Sequence, residues 1–283
     1  MKIAFCNEVY GNWPLEKQFA FTAECGYDGV ELAPFTFDAK WVSQEEKCAD
    51  VTRILPQERD EMVKLAEKEG LKLPGLHWLL AKTDGFYLTS PYPETRRKTT
   101  DYFKALIELC ADLGGEYMVL GSPVQRNILP NFSYNDAMKY AADVLSGTLD
   151  LLERYRITLA LEPLAPAETN FLANAAQALE LIELMGKPKP LAIHLDCKAM
   201  AGGEDRPIPD VIRDERFVPY EKTFHANDPN LQGPGFGDLD FQPIIAALAE
   251  TGFDGWIGVE PFDYSVGVEQ LAKESAAYLH KLM

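Results

Sequence analysis

Eight short apolar segments alternate with longer amphipathic segments along the whole of this 283-residue chain. The apolar segments have the length of β-strands, and the segments between them carry apolar residues at helical spacing. We predict strands at 2–6, 28–33, 71–77, 116–121, 157–162, 191–196, 222–228 and 255–260. We predict helices at 14–25, 55–70, 94–113, 134–155, 171–186, 207–215, 241–251 and 266–282.

Two architectures contain this alternation, a closed (β/α)8 barrel and an open doubly wound sheet. An open sheet usually carries a glycine-rich phosphate-binding turn after an early strand. The chain has no GxGxxG or P-loop motif, and its glycine cluster, GPGFG at 233–237, follows the seventh strand. Eight strand–helix units in roughly 250 residues are typical of the barrel. Because no linker or composition shift divides the chain, the sequence predicts a single α/β domain over residues 1–283, folded as a (β/α)8 TIM barrel.

The chain is strongly acidic, with 44 Asp and Glu residues against 27 Lys and Arg residues and a net charge of −17. Such a surface repels phosphate backbones, so nucleic acid is not an expected partner. The N-terminal MKIAFCNEVY has too short an apolar run for a signal peptide, and no stretch is long enough for a membrane-spanning helix. The cysteines are odd in number and lack metal-type spacing: Cys6, Cys25, Cys48, Cys110 and Cys197. These features favour a reduced, cytoplasmic protein that does not bind a membrane.

Polar side chains end the last four predicted strands, at Glu162, Asp196, His225 and Glu260. A single glutamate or histidine at such a place is ordinarily solvated or hydrogen-bonded locally. Four in succession are more informative, because barrel active sites lie at the carboxyl ends of the strands and neighbouring strands are about 4.8 Å apart. Three carboxylates and one imidazole favour Mn²⁺, Mg²⁺ or Co²⁺ over a structural Zn²⁺ site, which normally uses cysteine.

Five motifs span nearly the whole chain: DGVEL (28–32), LALEP (159–163), HLD (194–196), FHANDPN (224–230) leading into GPGFGDLDF (233–241), and GWIGVEPF (255–262). In this order they resemble the xylose isomerase-like barrel superfamily, and in particular its ketose 3-epimerase and hydroxypyruvate isomerase-like branch. The resemblance implies one divalent metal ion, with Mn²⁺ expected and Mg²⁺, Co²⁺ or Zn²⁺ as alternatives, bound by Glu162, Asp196, His225 and Glu260. It also implies a small-molecule sugar substrate and a homodimer or homotetramer.

In that family the two glutamate ligands also act as acid and base. The resemblance therefore implies that Glu162 and Glu260 remove and return the proton next to a sugar carbonyl, through an enediolate. Asp196 and His225 would serve only as metal ligands. Glu168, six residues after Glu162, resembles a carboxylate that supports the first glutamate, and an exposed loop acid is the alternative reading.

Four side chains are expected to contact the substrate: Trp13, His77, Glu168 and Lys198. His77 follows the third predicted strand, and Trp13 and Trp78 each follow a strand closely enough to form the wall of a sugar pocket. Core packing is the ordinary role of a single aromatic residue. Lys198 lies just after the sixth strand and could donate a hydrogen bond to the substrate, with a surface lysine as the alternative.

Two positions depart from the ketose 3-epimerase pattern. Ala199 and Leu231 stand where those enzymes have a histidine and an arginine that hold substrate oxygens. Two reactions therefore stay open: isomerisation or epimerisation of a sugar, and metal-dependent elimination from a keto-sugar or inosose, as a lyase or dehydratase. A non-catalytic sugar-binding barrel is a third hypothesis, which an intact ligand set does not favour. Related DNA-repair endonucleases need more histidines than the four of this chain, which argues against that function.

Overall fold

A computed structural model of the chain describes residues 1–37, 42–43 and 48–283, without the side chains of residues 42–43 and 48–49. The thiol of Cys48 therefore lies outside the described side chains, and the other four cysteines are free. Among the helices of this described part, none is both long and apolar enough to cross a membrane.

Eight parallel strands form the centre of the fold: β1 Lys2–Cys6, β2 Gly29–Glu31, β3 Gly75–Leu76, β4 Tyr117–Leu120, β5 Thr158–Leu161, β6 Leu191–Asp196, β7 Glu221–Ala226 and β8 Trp256–Val259. They pair in the order β2-β1-β8-β7-β6-β5-β4-β3. Isolated parallel bridges, Gly29 with Lys72 and Leu32 with Leu76, join β2 to the β3 segment and nearly close the ring. The predicted (β/α)8 TIM barrel is confirmed.

The segments between strands contain these helices: α1 Leu15–Glu24, α2 Pro56–Lys68, α3 Pro93–Asp112, α4 Tyr134–Ser146, α5 Leu149–Tyr155, α6 Ala175–Leu184, α7 Cys197–Gly203, α8 Ile208–Ile212, α9 Gln242–Glu250 and α10 Val268–Leu282. A short antiparallel hairpin, Val42–Ser43 with Cys48–Ala49, follows β2. Local sequence fixes several helix starts. Proline occupies the first position of α2 and α3, where its missing N–H costs no helical hydrogen bond. Ser133 and Asp136 cap the start of α4 reciprocally.

The predicted helix over 134–155 is two helices, separated at Gly147 and Thr148. The Thr148 hydroxyl donates to the carbonyl of Leu145 at 2.7 Å, which satisfies the end of α4 with a side chain. A Cβ at Gly147 would lie 2.6 Å from a methyl group of Thr100 in α3. The glycine therefore allows α3 to pack closely against this break.

The third strand is much shorter than the predicted 71–77, because Pro74 interrupts it. Proline has no N–H to donate to a strand ladder. Its carbonyl still accepts the backbone N–H of Glu116 at 2.7 Å, which holds the segment beside β4. A Cβ at Gly75 would overlap the ring of Tyr117, so the close approach of β3 to β4 requires glycine.

The middle of the barrel interior is polar. His194 lies two residues before Asp196 in β6 and therefore points to the same side of the strand. Its Nδ1 is 2.6 Å from the Thr223 hydroxyl of β7, and its ring centroid is 4.1 Å from that of His225. The layer below the carboxyl ends of β6 and β7 is thus a hydrogen-bonded support for the side chains above it.

Glu221 begins β7 at the opposite end of the barrel, where it is 7% exposed and both of its carboxylate oxygens lack a described hydrogen-bond partner. Burial raises its pKa to about 8, and the charge of Asp214 adds to this effect. Between its ordinary pKa of 4.5 and about 8, the folded chain therefore retains a proton that the unfolded chain releases. The free energy of unfolding falls as the pH rises through this range, by up to about 1.4 kcal/mol per pH unit.

We expect Glu221→Gln to raise the thermal midpoint at pH 9, where the buried carboxyl of the wild type is ionised, but hardly at pH 5. The midpoint is measured by circular dichroism. An equal shift at both pH values would contradict this assignment.

Candidate functional site

Four polar side chains at the carboxyl ends of β5 to β8 come together in the structure. Glu162 follows β5 directly, Asp196 ends β6, His225 lies near the end of β7 and Glu260 follows β8. Their exposed fractions are 6%, 1%, 1% and 4%. One ligand atom from each lies within 4.8 Å of the others. The four groups can therefore act on one bound species.

Glu162 is held through its backbone and by the shape of the end of the neighbouring strand β4. The guanidinium of Arg126, which is fully buried, donates to the carbonyl of Glu162 at 2.6 Å and to those of Leu120 and Leu172 at 3.3 Å. Burial lowers the pKa of Arg126 to about 10, against the opposing charge of Glu162. A Cβ at Gly121 would overlap Oε2 of Glu162. The carboxylate thus occupies a space that only glycine leaves open.

Asp196 has both carboxylate oxygens engaged. Oδ1 accepts the N–H of Ala199 at 2.6 Å and caps α7, a helix that we had not predicted. Oδ2 accepts the side-chain amide of Asn227 at 2.5 Å. Asn227 also accepts the N–H of Lys198 at 2.8 Å and donates to the carbonyl of Glu260 at 3.3 Å. This buried amide therefore ties the ends of β6, β7 and β8 together.

Glu31, at the end of β2, is a fourth buried carboxylate of the site. Its Oε1 is 3.1 Å from Nε2 of His225, whose Nδ1 is 2.9 Å from Glu260. The hydroxyl of Tyr117 donates to Oε2 of Glu31 at 2.6 Å. Glu31 therefore fixes the orientation of the imidazole. Glu31 belongs to the motif DGVEL, and the sequence alone gives it no predicted role in the site.

His77 and Trp78 bring the end of β3 to the site. Nε2 of His77 is 2.8 Å from Glu8 and 3.9 Å from Glu260, and its Nδ1 is 3.5 Å from Glu31. The indole N–H of Trp78 donates to Oε1 of Glu260 at 2.7 Å. The two residues therefore place the end of β3 against Glu260 and Glu31, which come from the ends of β8 and β2.

Lys198 and Glu168 form an ion pair of 2.6 Å at the edge of the same pocket, where the ammonium lies 4.3 Å from the ring centroid of Phe262. Trp13 is placed elsewhere. Its ring stacks on Tyr10, and Lys17 lies over it at 3.1 Å. Of the four residues expected to contact a substrate, the structure therefore brings three to the site and leaves Trp13 outside it.

The pocket formed by these elements has both polar and apolar lining residues. Trp78, Leu164 and Phe262 provide the apolar lining. The lining comprises His77, Trp78, Gly121, Glu162, Leu164, Glu168, Asp196, Lys198, Glu260 and Phe262. A few convergent polar groups beside apolar walls are typical of sites for small molecules.

Crowding of the carboxylates shifts their ionisation. Burial raises the pKa of Glu162 well above its ordinary value, and Glu260 and Asp196 raise it further. Burial also raises the pKa of Asp196 to about 6, with Glu260 adding to the effect. Burial would raise the pKa of Glu260 as well, but the charge and hydrogen bond of His225 outweigh it and lower that pKa. The cluster thus retains protons that a bound cation would displace.

The donor set fits one divalent cation. It consists of three carboxylates and one imidazole with ligand atoms within 4.8 Å of one another, all from buried residues. Oxygen-rich sets of this kind suit Mn²⁺, Mg²⁺ or Co²⁺. A bound positive charge would also offset the burial and the mutual repulsion that together hold the pKa values of Glu162 and Asp196 above their ordinary range.

The sequence matches the family profile described as "Xylose isomerase-like TIM barrel" over residues 19–282. Among similar proteins is the fructoselysine 3-epimerase of Shigella flexneri, which is 23% identical over 260 residues, covering 87% of this chain and 85% of that protein.

Solved structures of the same shape include D-psicose 3-epimerase in the presence of D-fructose. It aligns with a TM-score of 0.84 at 19% identity, over 100% of this chain and 99% of that one. The IOLI protein with a bound zinc atom aligns with a TM-score of 0.75 at 18% identity, over 100% and 98% of the two chains. At such low identities the likeness is one of fold.

Proposed function

We propose that the chain, which belongs to the xylose isomerase-like TIM barrel family, is an enzyme, a divalent-metal-dependent sugar isomerase or epimerase. The observation that carries this proposal is the convergence of Glu162, Asp196, His225 and Glu260 at a buried point beside an apolar wall. Two of these residues would exchange a proton with a substrate carbon, and all four would hold the metal.

The metal would be bound by Glu162, Asp196, His225 and Glu260, with Mn²⁺ as the proposed ion. When bound, it would polarise the substrate carbonyl and stabilise the negative charge of an enediolate. Glu31 would keep His225 oriented, since it contacts the second nitrogen of that imidazole at 3.1 Å.

Glu162 and Glu260 differ in the way that an acid–base pair requires. The pKa of Glu162 is raised, by burial above all, so its carboxyl can hold a proton near neutral pH. The pKa of Glu260 is lowered, because His225 outweighs the effect of burial. Opposite shifts in two neighbouring carboxyls support separate roles in removing and returning the α-proton.

Lys198 is the proposed donor to a substrate oxygen. Burial would lower its pKa, but the hydrogen bond that its ammonium donates to Glu168 and the charges of nearby carboxylates outweigh burial and raise the pKa, so the ammonium stays charged. A charged donor at the pocket edge suits an oxygen that neither Ala199 nor Leu231 could bind. His77 would contact the substrate from the opposite side of the pocket.

Elimination of a group β to the carbonyl is the second candidate reaction. It begins with the same proton abstraction and differs only in the fate of the enediolate. The observation in its favour is the loss of two substrate-oxygen contacts: Ala199 is an apolar buried residue, and the side chain of Leu231 is exposed. Fewer contacts to the hydroxyls would leave one of them freer to depart.

Hydrogen–deuterium exchange distinguishes these reactions. The metal-loaded enzyme is incubated with a panel of ketoses in D₂O and followed by NMR. Deuterium uptake without elimination is the result expected for the proposed isomerase. An unsaturated or dehydrated product would establish the lyase instead. Absence of exchange with every sugar, together with absence of bound metal, would contradict both.

Gly121→Ala is expected to weaken metal binding by about 10- to 100-fold, because the new methyl group would displace the carboxylate of Glu162. The affinity is measured by calorimetric titration with Mn²⁺, and near-UV circular dichroism reports whether the fold is retained. A folded variant with the affinity of the wild type would show that Glu162 is not confined as described.

A further inference from the structure

A second cavity adjoins the carboxylate pocket. It has a volume of about 290 Å³, whereas the carboxylate pocket has only about 10 Å³. The smaller space is about what one water molecule needs, while the larger one approaches the range of ligand sites. Trp78 and Phe262 line both spaces. Among the described residues, a molecule whose reacting carbons lie at Glu162 and Glu260 therefore finds room to extend past these two rings.

The walls of the larger space, here called the aromatic cavity, are rings at fixed angles. Phe35 meets Trp78 edge-to-face at 6.3 Å, and Trp78 meets Phe262 edge-to-face at 6.4 Å. Tyr264 and Val124 complete the apolar lining. Rings whose faces are partly exposed can stack on the apolar face of another ring.

The backbone beneath the cavity is held in an uncommon conformation. Trp78 and Lys82 have φ values of 52° and 53°, a left-handed region that non-glycine residues adopt at a cost. The turn between them is closed by a hydrogen bond from Ala81 to Trp78 at 2.9 Å and is anchored from Leu80 to Ser122 at 3.0 Å. Strained turns of this kind cluster at ligand sites. The tryptophan is thus presented on a rigid turn.

The charge of the cavity indicates a neutral guest. Its charged lining residues are Glu8, which is bound to His77 at 2.8 Å, and Lys82, whose ammonium lies 4.2 Å from the ring centroid of Phe35. A single exposed lysine beside a carboxylate does not make a phosphate site, for which several donors usually converge.

We propose that the aromatic cavity binds a second ring of the substrate. The substrate is then a keto-sugar joined through a glycosidic oxygen to a neutral ring with an apolar face, rather than a free monosaccharide. This inference rests on the proposed function for the reacting part of the molecule. A pyranose and an aryl group share the required chemistry, and the experiment separates them.

Binding is measured by calorimetry on the Mn²⁺-loaded protein with keto derivatives of methyl β-D-glucoside, phenyl β-D-glucoside and cellobiose, each carrying one ring ketone. We expect the phenyl glucoside or cellobiose to bind about tenfold more tightly than the methyl glucoside. The tighter of the two identifies the guest as aryl or as sugar. Equal affinity of all three would overturn the proposal.

Phe35→Ala combined with Tyr264→Ala should remove the gain in affinity of the two-ring ligands over the methyl glucoside, because both rings line this cavity and not the carboxylate pocket. Val124→Glu provides a second variant, at a side chain that is 66% exposed and therefore unimportant for folding. Tyr155→Ala, at an exposed ring outside both cavities, is the matched control and should keep the gain. A gain that persists in both the double variant and Val124→Glu would overturn the assignment.

The same samples, tested for deuterium exchange, separate this inference from the proposed function. Deuterium exchange with free monosaccharides, without tighter binding of two-ring ligands, would support the proposed isomerase reaction and refute the second-ring site. Tighter binding of two-ring ligands that depends on Phe35 and Tyr264, without deuterium exchange on any keto-sugar or keto-glycoside, would support the second-ring site and refute the proposed reaction.

Discussion

Glu162→Gln is expected to slow proton exchange with a substrate by about 10²- to 10⁴-fold, the usual contribution of a positioned acid or base. Glutamine has the size and shape of glutamate, and the Arg126 contact goes to the backbone carbonyl, which the substitution leaves in place. The amide cannot carry the proton that the raised pKa of Glu162 allows the carboxyl to hold. The measurement is the rate of deuterium incorporation by NMR.

Two controls give this result its meaning. Metal content is measured in the variant, and exchange is compared at full occupancy, because Glu162 is also a proposed ligand. Glu183→Gln changes an exposed glutamate of α6 whose described ion pair is with Lys187, and this variant should exchange at the rate of the wild type. Wild-type exchange by metal-saturated Glu162→Gln would refute the proton-transfer role.

Removing the metal with a chelator is expected to abolish exchange, and adding back Mn²⁺ should restore it. The physical reason is the buried group of three carboxylates, which without a cation is left to take up protons. Because protons compete with the metal ion for the same carboxylate oxygens, the affinity for the metal should fall as the pH drops through about 6, the pKa of Asp196.

Calorimetric titration in buffers of different ionisation enthalpy measures both quantities, the affinity and the number of protons released. Repeating it with Mg²⁺, Co²⁺ and Zn²⁺ ranks the alternatives. Full activity of a protein shown by elemental analysis to contain no metal would overturn the metal requirement, although the proton-transfer pair would remain to be tested separately.

The barrel itself was predictable from the sequence because strand and helix periodicities alternate without interruption. The errors have local causes. Pro74 shortens the third strand, and the close packing of Thr100 against Gly147 divides the predicted fourth helix. Hydrophobic periodicity shows neither cause. Pro74 acts through its missing N–H, and the packing of Thr100 against Gly147 depends on which segments become neighbours.

The candidate site was partly predictable by one rule, a polar residue after an apolar strand. That rule selects Glu162 and its three partners, and applied to the motif DGVEL it would also have selected Glu31. It could not find Arg126, because arginine is rarely fully buried and one of its partners, Leu172, is 46 residues away. Trp13 followed a strand as Trp78 does, but its side chain packs on Tyr10 instead.

Trp78 joins the two cavities in a further sense. Its indole N–H is bound to Glu260, while its ring lines the aromatic cavity. A guest that strengthens or weakens this hydrogen bond alters the proton affinity of Glu260, and by thermodynamic reciprocity the ionisation of Glu260 alters the affinity for the guest by the same factor. Choice of substituent and acid–base chemistry then form one linked equilibrium. Substrates that carry different groups in the aromatic cavity would therefore give pH–rate profiles that are shifted relative to one another.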